Sequence, residues 1–115
     1  MKLVSIFCFC FLLTMSYSVN AQTQIELNSD AIEAFYKADK ELNQVYKQLM
    51  VKLSEQEKSS LKDQQRKWIK MKESTCKKEA DEYKGGSMAP MILFSCYEEK
   101  TKKRTTELRG MLQGR

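Results

Sequence analysis

Two cysteines at matched distances from a glycine pair constrain this chain more than any other feature. Cys76 and Cys96 flank Gly85-Gly86, Cys76 nine positions before the first glycine and Cys96 ten positions after the second. If both flanks are helical, a rise of ~1.5 Å per residue puts each cysteine about 14 Å along its helix. Two antiparallel helices joined at the glycines then bring both thiols to one level, where a disulfide staples the hairpin.

Whether those thiols oxidise depends on where the chain goes. Met1-Lys2 is a short basic start, Leu3 to Met15 is almost wholly apolar, and Ser16 to Ala21 is polar and ends in Val-Asn-Ala. That order predicts a signal peptide over residues 1–21, cleaved after Ala21. The apolar run falls short of the about 20 residues that a spanning helix needs; an uncleaved amphiphilic anchor is the alternative. Cys8 and Cys10 lie inside the run beside phenylalanines, which argues against a lipoprotein. Cleavage leaves 94 of the 115 residues, enough for one small domain, with Cys76 and Cys96 its only cysteines. The expected localisation is periplasmic or secreted, where such a pair oxidises. Closing the loop contributes roughly 3 kcal/mol in the chain-entropy model.

The rest of the chain reads as helix. Residues 22–27 are expected to form a loose arm, with Asn28, Ser29 or Asp30 capping a first helix. Ile32, Phe35, Asp39, Leu42, Tyr46, Leu49 and Leu53 then alternate spacings of three and four, an amphipathic stripe with one charged member. Ser54-Glu55-Gln56-Glu57 has the form of a capping box and predicts a turn near Ser54. One long bent helix is the competing reading, because no Gly or Pro marks that turn. The second helix carries Leu61, Gln65, Trp68, Lys72, Cys76 and Tyr83 on one face and stops at the glycines. Pro90 suits the first turn of a third helix, whose inner face holds Leu93, Tyr97, Arg104, Leu108 and Met111. The expected fold is all-α: a small antiparallel three-helix bundle, with helices over residues 29–53, 55–84 and 89–112 and one inter-helix disulfide, after a cleaved signal peptide.

Charge narrows the function. The chain holds 20 Lys+Arg and 15 Asp+Glu, and losing Lys2 with the signal peptide takes the net charge from +5 to +4. There is no histidine, which removes imidazole bases, His-activated nucleophiles and imidazole metal ligands. With both mature thiols in a disulfide, zinc loses its usual ligands as well. No cofactor, metal site or catalytic residue is expected, and the chain does not read as an enzyme. Lys58, Lys62, Arg66 and Lys70 recur every four residues as an exposed basic stripe. Such a stripe is either a solvated face or a surface for anionic lipid, acidic envelope polymers or an acidic protein. Nucleic acid is not an expected partner of an exported chain without a recognisable binding module.

A polar cluster interrupts the apolar faces. Asp39, Lys72 and Arg104 each fall near the middle of an inner face, and buried charges are costly unless paired. The two turns put Asp39, Trp68 and Arg104 at one level. The expected arrangement is an Asp39–Arg104 pair with the guanidinium along the indole, and Gln65 and Asn43 bonding between helices one and two. The cluster then either fixes the register of the bundle or forms part of a binding site.

The same residues carry a resemblance. Gln65-x-x-Trp68-x-x-x-Lys72-Glu73-x-x-Cys76 resembles the signature of the LprI-type lysozyme-inhibitor-like domain family, which usually has Arg-Asp where this chain has Lys72-Glu73. Cys96-x4-Thr101-x2-Arg104-x3-Leu108 and Asp39-x-x-Leu42-Asn43-x-x-Tyr46 are similar to its other motifs, so the likeness spans about residues 30–112. It implies a secreted or envelope-associated bacterial helical domain, in the family's named member an inhibitor of lysozyme. The expected function is therefore an exported binding module with a lysozyme or other cell-wall hydrolase as partner. The rival is a structural or envelope-stress protein whose basic face contacts anionic surfaces. The net charge of +4 opposes long-range attraction to a basic lysozyme.

Overall fold

In the computed structural model the backbone is described for residues 2–115 and the side chains for residues 23–115. The segment read as a signal peptide, residues 1–21, with Cys8 and Cys10, lies outside the described side chains. Three helices, α1 (Lys2–Val51), α2 (Glu55–Asp81) and α3 (Ala89–Gln113), form an all-α bundle, with no strand among the described residues. α2 runs antiparallel to α3, since Cys76 meets Cys96 and, further back along α2, Gln65 meets Arg104. α1 and α3 run parallel, from Asn28 beside Ser87 to Glu41 bonded to Arg109.

The turn at Ser54 forms as its sequence predicts, and the single bent helix is ruled out. The Ser54 hydroxyl accepts from the Glu57 N–H at 3.3 Å, and the Ser54 N–H donates to Glu57 Oε1 at 3.1 Å. The Arg115 guanidinium, bonded to the same carboxylate, ties the end of α3 to the start of α2. These hydrogen bonds, Arg115 first and then Ser54, hold the exposed Glu57 carboxyl at about 2. At the other end α2 stops at Asp81, three residues before the expected boundary. Tyr83 and Lys84 donate to Ala80 and Asp81, the tighter three-residue pattern common at helix ends. Gly85 then takes φ +81°, which side chains other than glycine's rarely adopt. The staple is in place, with Cα atoms 5.5 Å apart and both cysteines buried.

Two expectations about α1 are corrected. Residues 23–27 are helical and not a loose arm, and the helix does not begin at Asn28 to Asp30. Asn28 instead reaches across from within α1, its Nδ2 donating to the Ser87 carbonyl at 2.9 Å. The buried stripe is also rotated from the expected one. Ala31, Ala38, Leu42, Val45 and Leu49 are buried, whereas Ile32, Phe35, Asp39, Tyr46 and Leu53 are only half-buried. The cause is which helices touch: α1 and α2 both pack mainly on α3, and they approach each other least. The core of Leu42, Val45, Leu49, Leu61 and Leu108 closes one end of the bundle, flanked by Tyr46, Met50, Leu53, Trp68 and Leu112. The seam between α1 and α2 stays open above it.

Candidate functional site

That seam is a groove of about 380 Å³ between α1 and α2. α1 supplies Asp39, Leu42, Asn43 and Tyr46, which share a face because they are spaced three and four apart. α2 supplies Lys62, Gln65, Arg66, Trp68, Ile69 and Lys72 by the same rule. The volume lies within the range of small-ligand pockets.

At the floor of the groove the cation on Trp68 is Lys72 and not Arg104. The Lys72 Nζ sits 4.9 Å from the Trp68 ring centroid, 5.2 Å from Phe35 and 5.3 Å from Tyr97. Phe35 and Tyr97 belong to an aromatic cluster with Phe94, their ring centroids 5.4 to 5.7 Å apart. Three helices thus build a cage around the protein's own ammonium. Each ring face contributes an electrostatic attraction of about 0.5–2 kcal/mol, which offsets part of the cost of burying the charge. Burial still lowers the Lys72 pKa below its ordinary value, with the Asp39 and Glu73 carboxylates pulling the other way. Burial raises that of Tyr97, and the Glu73 charge adds to the shift.

The expected Asp39–Arg104 pair does not form. Arg104 is buried, its Nε donating to Gln65 Oε1 at 2.6 Å and its Nη1 to Glu107 Oε2 at 2.9 Å. Its Nη2 is buried without a hydrogen-bond partner. Gln65 therefore bonds helix two to helix three and not to Asn43. Asn43 turns back along its own helix and donates to Asp39 Oδ2 at 3.4 Å. The level of each residue was legible, but its direction around the helix was not. Sequence reasoning missed Glu107 and Phe94, although their spacing of three from Arg104 and from Tyr97 was the available signal.

The basic stripe winds around α2. Lys62 and Arg66 reach the groove, while Lys58 pairs with Glu55 at 3.1 Å and Lys70 is exposed. Arg66 also contacts Asp63 at 3.5 Å, a solvent-exposed pair of little energetic weight. Among the described residues no three His, Cys, Asp or Glu gather as a metal would need, and no helix is long and apolar enough to cross a membrane.

The three motifs divide by exposure. Gln65, Lys72, Cys76, Cys96, Thr101, Arg104, Leu108 and Leu42 are buried and hold the bundle together. Asp39, Asn43, Tyr46, Trp68 and Glu73 keep contact with solvent, and the first four line the groove. The fold and the motifs together make a disulfide-stapled helical module with one motif-lined groove. The chain belongs to the LprI family: the family model described as "Lysozyme inhibitor LprI" matches residues 15–108. An uncharacterised protein of Rhizobium meliloti (strain 1021) is 32% identical over 106 residues, covering 81% of this chain and 76% of the relative. No solved structure matches.

Proposed function

We propose that this chain is an exported envelope module, freed by cleavage after Ala21, that restrains lysozyme-type cell-wall hydrolases, and that the α1–α2 groove is its working face. Family membership over residues 15–108 supports the inhibitor reading. One observation favours the groove: four of the five motif residues left in contact with solvent gather there. Packing accounts for the buried members of the motifs, but it does not require Asn43 or Asp39 to face an open seam.

The test is a muramidase assay on suspended cell walls, with and without the purified protein. The intact protein slows clearing. Asn43→Ala combined with Lys62→Ala, both exposed in the groove, weakens that effect while the melting temperature stays close to wild type. Clearing at an unchanged rate, at concentrations well above that of the enzyme, would refute the inhibitor reading.

A further inference from the structure

The chemistry of the groove points to the kind of molecule it holds. Three cations, Lys62, Arg66 and Lys72, line it against a single carboxylate, Asp39. Lys62 makes no ion pair among the described residues, and Arg66 is held only by its exposed contact with Asp63. Both are therefore available to an anion, unlike Lys72, which the aromatic cage retains. Beside them stand the half-buried rings of Trp68 and Tyr46 and the exposed amide of Asn43. Ring faces that receive C–H surfaces, an amide that bonds hydroxyls, and cations at the rim form a set suited to a sugar chain bearing carboxylates.

We infer that the α1–α2 groove binds an acidic saccharide, of the carboxylate-bearing type found in cell-wall glycan. The inference rests on the reading of this groove as the working face, and it changes where restraint acts: the module covers the hydrolase's substrate and does not need to dock on the enzyme. It also removes the conflict set by charge. A net charge of +5 for the chain, or +4 once Lys2 is cleaved off, repels a basic enzyme at long range but concentrates the module on an anionic polymer. A lipid surface is the poorer match, because the cations flank a concave slot instead of standing on a flat face.

Trp68 is the only tryptophan in the chain and lies in the groove, so its emission reports occupancy directly. The exported, disulfide-bonded protein is titrated, without enzyme, with soluble oligosaccharides of alternating N-acetylglucosamine and N-acetylmuramic acid. Chitooligosaccharides of equal length serve as the neutral control. The carboxylate-bearing chains shift the emission saturably, and the neutral chains bind more weakly. Lys62→Glu with Arg66→Glu raises Kd by about tenfold or more, in keeping with reversed charge at a contact. Lys78→Glu with Lys103→Glu, the same change of net charge away from the groove, leaves Kd within about threefold.

Equal binding of neutral and acidic chains overturns the inference, as does an equal loss in the two charge variants. Vesicles of phosphatidylglycerol that shift Trp68 as strongly would reassign the groove to lipid. A protein that slows the muramidase but binds no saccharide sinks this inference and leaves the inhibitor reading standing. One that binds the saccharide but slows no hydrolase does the reverse.

Discussion

Arg104 offers the sharpest test of how the interior is arranged. Its side chain is buried, and of its three nitrogens one bonds Gln65, one bonds Glu107 and one has no partner. Gln65→Leu leaves the Nε of a buried cation unsatisfied. Hydrogen bonds to charged groups contribute about 1.5–3 kcal/mol, so a loss of roughly 2 kcal/mol is expected. Arg104→Met leaves the Gln65 amide oxygen buried and unpaired, at a cost of about 1–3 kcal/mol. Gln65→Leu with Arg104→Met removes both polar groups at similar volume and should be less destabilised than the sum of the single changes. The expected coupling is about 1–2 kcal/mol. Asp39, half-buried and accepting one long bond from Asn43, should cost less than about 1 kcal/mol as Asp39→Ala and show no coupling to Arg104. Urea unfolding followed by far-UV circular dichroism, with the disulfide intact, supplies every value, provided the slope m is unchanged across the set. Strong Asp39–Arg104 coupling with none between Gln65 and Arg104 would refute this arrangement.

Three further outcomes are expected. Cys76→Ser with Cys96→Ser should cost roughly 2–5 kcal/mol, and the unreduced wild-type mass should be lower than the reduced one by the pair of thiol hydrogens. Gly85→Ala should cost about 1 kcal/mol, because φ is +81° and nothing crowds an added Cβ, so strain alone is measured; an unchanged denaturation midpoint would count against that turn. In alkaline titrations of stability, Lys72 and Tyr97 act in opposite directions. From the lowered folded pKa of Lys72 up to its ordinary 10.5 the unfolded chain binds more protons, so stability rises with pH; from 10.0 upward the raised pKa of Tyr97 makes it fall. Lys72→Met should abolish the rise and Tyr97→Phe the fall, and a rise that survives Lys72→Met would show that the lysine is not buried.

Position along each helix was legible in the sequence, and position around it was not. The glycine pair and the Ser54 capping box set two turns, and a fixed rise per residue then set every level. This is why the Cys76–Cys96 staple and the three helices could be anticipated, while the expected meeting of Arg104 with Asp39 and Trp68 did not follow. Within that level each successive residue turns by about 100°, so the choice of partner depends on which helices are in contact. The expected stripe of Ile32, Asp39, Tyr46 and Leu53 followed the spacing within the first helix alone. Because α1 lies mainly on α3, burial moved by one residue to Ala31, Ala38 and Val45. The same rotation left Asp39 and Tyr46 on the open seam, gave Trp68 to Lys72, and sent Arg104 to Gln65 and Glu107. The groove is thus a consequence of unequal packing among three helices, a quantity that periodicity within any one helix does not contain.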